Sequence, residues 1–199
     1  MDVETTGLDP DHDEVISYAV VPIREGRIAS GEHLSGLVRP RRRPSPESIR
    51  VHGLRACDLT DAPAPADVAP RLVEALAGSM LVVHHAYVER TFLGPILAAA
   101  GMRFPRRVAD TEVLGRLWLA GLDRPSPRVL ALSKLAAELG LPVHRPHDAL
   151  GDALTTAQSF LALATHLDAF RPETTTSLVH AERRLANLRL SGVGARRPT

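Results

Sequence analysis

The residues able to do chemistry begin at the second position. Asp2 and Glu4 are separated by one residue in the segment Met1-Asp2-Val3-Glu4-Thr5-Thr6, which reads as extended. On a strand, residues two apart leave the same face about 6 to 7 Å from each other. Carboxylates placed this way repel unless cations neutralise them, and Mg²⁺ or Mn²⁺ prefers such oxygen ligands. A solvated acidic terminus is the bland alternative for an isolated pair. Far along the chain, His147 precedes Asp152 by five positions. Five positions on a helix rotate by about 140°, so the two cannot share a helix face. Pro146 removes the conflict, because it favours an extended residue before it and a helix beginning after it. His147 then sits at the mouth of the helix and Asp152 in its first turn, where the helix dipole helps to hold a carboxylate ionised. An imidazole, with an ordinary pKa of about 6.5, is suited to taking a proton from water. His144 lies three residues before His147, but no third ligand at zinc spacing accompanies them.

The elements that must position these groups follow from periodicity. Met1 to Thr6 reads as the end of a strand stopped by Gly7-Leu8-Asp9-Pro10. Glu14 to Ile23 is a β-branched apolar run, and Glu25-Gly26 turns it into a second run reaching Val38, a hairpin. Two Pro-containing segments, Arg39 to Pro46 and Ala62 to Pro65, read as loops. Val68, Leu72, Val73 and Leu76 have helical spacing, and Ser79 to Val83 is a short buried-type strand. Val88, Phe92, Ile96 and Ala100 predict a helix that Pro95 should kink or split. Short helices follow over 113–119 and 133–139. A long helix carries the stripe Leu150, Ala153, Leu154, Ala157, Phe160, Leu161 and Ala164. Strands first, then helices alternating with a strand, indicate an α/β domain over 1–170. Residues 171–199 read as a polar, Arg-containing tail.

Composition sets the frame. The 199 residues carry 24 basic and 23 acidic side chains, a net charge of +1, and 44% of them are hydrophobic. That balance argues against a disordered chain and against a polybasic binder, while permitting a local positive groove. No apolar run approaches the roughly 20 residues that span a bilayer, so a cytoplasmic location is expected, with no membrane partner. Cys57 is the single cysteine and is expected to be a small buried side chain.

Taken as a unit, Asp2-Val3-Glu4-Thr5-Thr6-Gly7-Leu8 resembles the first motif of the DEDDh 3'-5' exonucleases. That group includes the proofreading epsilon subunit of bacterial replicative polymerase and ribonuclease T. His84-His85-Ala86-Tyr87-Val88-Glu89-Arg90-Thr91-Phe92-Leu93 is similar to the second motif, H-N-A-x-F-D-x-x-F-L. Here Glu89 stands for the metal-ligating aspartate, Val88 for the Phe and His85 for the Asn. Glu extends the carboxylate by one methylene, and packing or a hydrogen bond is the expected role of His84 and His85. His147-Asp148-Ala149-Leu150-Gly151-Asp152 is similar to the third motif, H-x-A-x-x-D. Ser48 to Leu54 resembles the I-x-x-H-G-I element, and Asp110-Thr111 resembles a D-T step in which Asp110 is expected to cap a helix. The resemblance runs from Met1 to about Leu167.

The resemblance implies a ribonuclease H-like mixed sheet, an antiparallel hairpin plus parallel strands, flanked by helices. It implies Asp2, Glu4, Glu89 and Asp152 as ligands of two divalent cations, Mg²⁺ or Mn²⁺, and His147 as the catalytic base. The reaction would be hydrolysis at the 3' end of single-stranded DNA or RNA, releasing nucleoside 5'-monophosphates. Thr5 and Thr6 would meet the terminal sugar by backbone and hydroxyl bonds, and Leu8 would wedge against its base. Arg41, Arg42, Arg43, Arg103, Arg106 and Arg107 are candidates for holding the upstream strand, and a DNA polymerase subunit is a candidate partner. In the family the first motif lies on a central strand preceded by several apolar residues, and here only Met1 precedes Asp2. The natural start is therefore expected upstream, or the chain as written is impaired. Glu89 and the short start also support the alternative of a catalytically impaired, nucleic-acid-binding or polymerase-associated domain of the same fold.

Overall fold

The computed structural model describes residues 1–192. Strand β1 (Asp2–Thr5) pairs antiparallel with β2 (Val15–Val20), setting Asp2 opposite Ala19 and Glu4 opposite Ser17. The chain then makes a two-residue hairpin, β3 (Ile23–Arg24) and β4 (Arg27–Ile28), around Glu25-Gly26. Both turn residues have positive φ, 51° and 73°, as the tightest hairpin turns require. After a single 3₁₀ turn, β5 (Leu34–Leu37) returns along the free edge of β2. The expected second run to Val38 is thus split in two, because β4 pairs only with β3 and it is β5 that rejoins β2.

Helices α1 (Pro46–His52) and α2 (Pro65–Leu76) lead to β6 (Leu81–Val83), then α3 (Ala86–Ala99) and β7 (Val108–Asp110). Strands β6 and β7 pair in parallel, Leu81 with Val108 and Val83 with Asp110. The Met1 ammonium donates to the Val82 carbonyl at 2.6 Å in a buried setting, which lays β1 beside β6. Helix α3 runs through Pro95 without being split, one of the two outcomes, kink or split, that the proline led us to expect. Helices α1 and strand β7 were not legible as elements. Ser45 caps α1 by accepting from Ser48 N, with Pro46 at its first position, a start signal hidden inside a Pro- and Arg-rich stretch.

The remaining helices are α4 (Thr111–Gly121), α5 (Leu132–Glu138), α6 (Ala149–Phe170), α7 (Thr175–Val179) and α8 (Ala181–Gly192). Val3, Val20, Leu72, Leu93 and Leu97 form one core layer. Leu114, Trp118, Leu135, Phe160, Leu163 and Leu167 form another, chiefly between α4, α5 and α6. The segment expected as a tail is helical over α7 and α8. Leu178, Ala181 and Leu185, spaced three and four apart, are buried, and the first two join the α4 and α6 layer. Residues 193–199 of that expected tail lie outside the described residues. Cys57 is exposed rather than buried, on a 3₁₀ turn over Ala56–Leu59 whose inward side chain is Leu59.

Leu163 is fully buried where α6 meets α4. Leu163→Ala should cost about 2 to 5 kcal/mol and lower the thermal midpoint by roughly 5 to 15 °C, read by circular dichroism. A shift within a degree or two would mean that α6 does not pack as described.

Candidate active site

Strand alternation sorts the first motif onto two faces. Val3 and Thr5 are buried, while Asp2 and Glu4 are half-buried and leave together on the other face. There they meet Asp152 from the first turn of α6. Asp2, Glu4 and Asp152 each bring a carboxylate oxygen within 4.8 Å of the others. Glu89, on the first turn of α3, is 1% exposed, and its Oε2 is buried without a hydrogen-bond partner. The Oδ2 of Asp2 is in the same condition. Four carboxyl groups therefore share one region, three of them close enough to hold a common ion and the fourth set back beside Asp2.

Their electrostatics follow from this crowding. Burial raises the Asp2 carboxyl well above its ordinary range, and the charges of Glu89, Glu4 and Asp152 push in the same direction. Burial, then the charges of Asp152 and Asp148, raise Glu4 to about 7. Burial raises Glu89 to about 8. Asp152 is also raised by burial, against a counteracting hydrogen bond from the His147 backbone. Unpartnered buried oxygens on carboxyls that repel one another are a donor set suited to a hard divalent cation.

His147 lies outside α6, in the turn before it, with φ of 60°. Asp148 is the N-cap and accepts from Gly151 N at 3.0 Å. The His147 backbone N–H donates to Asp152 Oδ2 at 2.8 Å, so the turn that presents the imidazole also braces the carboxylate. The imidazole itself is exposed and makes no hydrogen bond among the described residues. Gly151 permits this turn. A Cβ there would lie 2.5 Å from the Arg145 carbonyl oxygen.

The second motif is built in a parallel way. His85 is the N-cap of α3 with φ of 68°. Asn, Asp and His are the side-chain-bearing residues that most readily adopt this left-handed conformation, which explains how His85 can stand where the resembled motif has Asn. Asp110 accepts from His85 N and Ala86 N at 3.1 and 2.8 Å and from Glu112 N at 2.9 Å, so one carboxylate holds the starts of α3 and α4 together. Its capping role is as expected, and its hold on α3 was not foreseen. His84 is a packed, bonded histidine between Thr111 Oγ1 and the Leu130 carbonyl.

The residues expected to meet substrate have hydroxyls that bond within the chain. The Thr6 hydroxyl donates to Asp13 Oδ1 at 2.7 Å and accepts from Glu14 N at 3.0 Å, and Thr6 is fully buried. The Thr5 hydroxyl donates to the Gly7 carbonyl at 2.6 Å, and Thr5 is also buried. Both hydroxyls brace the loop that runs from Thr6 to Asp13, because a tight loop at a strand end must satisfy its backbone groups internally. Leu8, at the tip, is 76% exposed, as a wedge requires. Asp13 anchors this loop, and the signal for it in the chain is a carboxylate four residues past Asp9, whose backbone N–H donates to it at 2.8 Å. Of the arginine candidates, Arg41 is ion-paired to Glu14 and Arg107 is bonded to Thr175. His52, at the end of α1, has a buried Nε2 beside the Thr5 backbone; burial lowers its pKa, the Thr5 backbone opposes that, and His147 adds to the lowering. His144 belongs to no cluster of three ligands among the described residues.

Residues 1–160 match the family profile RNase_T, described as Exonuclease. The chain belongs to that exonuclease family. Its similarity to a DNA polymerase III subunit epsilon-like protein of Rhodobacter capsulatus is 36% identity over 171 residues, 84% of this chain and 24% of the relative. With the DNA polymerase III subunit epsilon of Treponema pallidum it shares 29% identity over 83% of this chain and 75% of the relative. This exonuclease-family chain thus spans about a quarter of the Rhodobacter protein. The structure of Exonuclease X in complex with 5' overhanging duplex DNA superposes with a TM-score of 0.68 at 25% identity, covering 90% of this chain and 96% of that one. The fold is the ribonuclease H-like mixed sheet that the motifs implied, and membership of the DEDDh exonucleases implies dependence on metal.

Among the described residues no helix is long and apolar enough to cross a membrane. In a chelator the folded chain keeps protons on Glu4 and Glu89 that the unfolded chain loses above about pH 4.3. Through these two groups the folded state binds more protons than the unfolded state up to about pH 8, which lowers stability as pH rises through that window. Asp2 and Asp152 act in the same sense, while the Met1 ammonium and the His52 and His84 imidazoles, all lowered by burial, oppose them, the imidazoles only below about pH 6.5, where the unfolded chain protonates them. The thermal midpoint should decline from about pH 6.5 to 8 without metal and rise on adding Mn²⁺, more at pH 8 than at pH 6. A midpoint indifferent to both would mean the four carboxyls are not gathered as described.

Proposed function

We propose that the chain is a 3'-5' exonuclease that uses two divalent cations, Mg²⁺ or Mn²⁺, on the 3' end of single-stranded DNA or RNA. The observation that carries this reading is the meeting of Asp2, Glu4 and Asp152 oxygens within 4.8 Å, with Glu89 buried behind them and His147 on the adjoining turn. Asp2, Glu4 and Asp152 would hold the ions, with Glu89 completing the acidic wall. Bound cations would supply a more acidic water and charge neutralisation for the leaving 3' oxygen.

The chain's own residues account for the rest. His147, exposed and unpaired, takes the proton of the attacking water as a P–O bond forms and the bond to the 3' oxygen of the preceding nucleotide breaks. The product is a nucleoside 5'-monophosphate. Asp152 holds the His147 turn in place through its backbone N–H, so ligand and base are positioned by one contact. Leu8 at the tip of its loop presses against the terminal base, while Thr5 and Thr6 act by shaping that loop. The names of the relatives suggest a DNA polymerase subunit as partner, and a cytoplasmic location accords with that suggestion.

Wild-type protein with Mg²⁺ or Mn²⁺ should shorten a 5'-labelled single strand from its 3' end one nucleotide at a time. His147→Ala and Asp152→Asn should each lose about 10²- to 10⁴-fold in turnover. Wild type as inactive as those variants, while still binding the strand, would instead establish a silent nucleic-acid-binding domain. Gly151→Ala, which forces the Arg145 carbonyl away, should lower turnover about tenfold or more without abolishing the cation-induced rise in midpoint.

A further inference from the structure

Beside the proposed site, and outside it, runs a groove of about 590 Å³. One side is the first turn of α3, with Tyr87 and Arg90. The floor is β7 with Arg106 before it, and the far side is the α7–α8 junction with His180 and Arg183. The family match ends at residue 160, so the α7–α8 side lies beyond it.

The charges of this groove do not cancel locally. The Asp110 carboxylate is occupied by three backbone N–H groups, and Glu112 is ion-paired with Arg116 at 3.1 Å. Arg90 lies over the Phe104 ring, 4.8 Å from its centroid, and neither it nor Arg106 nor Arg183 has a carboxylate partner among the described residues. Glu182 is the one acidic lining residue left unengaged. Three exposed guanidinium groups against the carboxylates of Asp110 and Glu182, the first of them turned to backbone amides, leave the groove net basic and favour a polyanion. Tyr87, 70% exposed at the edge, offers a ring face on which a base can stack.

Position selects the polyanion. Arg90 adjoins Glu89 on α3, and β7 is two strand spacings from β1 by way of β6, about 10 Å. A single strand leaving the carboxylate cluster past α3 therefore meets the groove within a few nucleotides. We infer that this groove holds the phosphates of the degraded strand a few nucleotides upstream of the cleaved bond, with Arg106 and Arg183 as the phosphate contacts and Tyr87 as a stacking platform. The inference rests on the exonuclease reading for its choice of ligand. It makes α7 and α8 part of the substrate-binding surface.

The test compares wild type with Arg106→Gln/Arg183→Gln on two 5'-labelled substrates, a dinucleotide too short to reach the groove and a strand of about twelve nucleotides. On the long strand kcat/KM should fall about tenfold, and the dinucleotide should be cleaved equally well by both proteins. Binding of the long strand in chelator should lose about 1.4 from its log–log salt slope, at about 0.7 per phosphate contact, and Arg106→Lys/Arg183→Lys should restore it. Tyr87→Ala should weaken the long strand about tenfold and leave the dinucleotide unchanged. If wild type cleaves neither substrate, the exonuclease reading fails, and the chelator binding still decides the groove. Equal affinity and salt slope for wild type and the double glutamine variant overturn the inference, as does an equal loss on the dinucleotide. A salt-slope change seen only with a recessed duplex assigns the groove to the complementary strand and overturns it too.

Discussion

The constraint on which the rest of this structure depends is the repulsion among four carboxyl groups drawn out of water at one place. Asp2 and Glu4 come from a strand, Glu89 from the start of one helix and Asp152 from the start of another. None of the four is neutralised by an arginine or the single lysine among the ion pairs of the described residues. Removing charges from water without partners costs several kcal/mol each unless the groups stay protonated or bind cations. The fold therefore supports an arrangement that is unfavourable by itself, and its packed layers of Leu, Val and Phe supply the stability that tolerates it.

That support works mainly through helix starts. Asp110 ties α3 and α4 together, and Asp148 caps α6. Each of the two histidines in these junctions, His85 and His147, takes a left-handed backbone immediately before its helix or at its cap. Such conformations carry a modest cost and persist only where surrounding contacts over-determine them. Here the contacts are hydrogen bonds to carboxylates, Asp110 for His85 and Asp152 for His147, so one of the four crowded side chains also fixes the geometry of the approach.

Much of this was legible in the chain. Asp2-Val3-Glu4 had to place two carboxylates on one face, because strand alternation is a local property. Pro146 before His147 and the apolar stripe after Asp148 located the start of α6 to within a residue or two. The hidden parts are those whose reasons are non-local. Helix α1 lay in a segment that reads as a loop, and it is held by Ser45 N and Ser48 Oγ, both bonded to the Thr6 carbonyl. The hydroxyls of Thr5 and Thr6 looked free for substrate until Asp13 and the Gly7 carbonyl were seen to occupy them. Leu178, Ala181 and Leu185 are too few to announce a helical pair among polar residues, and they become informative only against the α4 surface they cover.

By itself the sequence determined which groups can do chemistry, their order along the chain and the local conformation that aims each of them, because residue type, strand alternation and capping act over a few positions. Tertiary structure alone decided that positions 2, 4, 89 and 152 share one region, that Thr6 is spent on its own loop, and that α7 and α8 flank a basic groove beside the site. Those outcomes depend on which surfaces pack together. Packing is settled by the shape and burial of the whole chain, to which no short window has access.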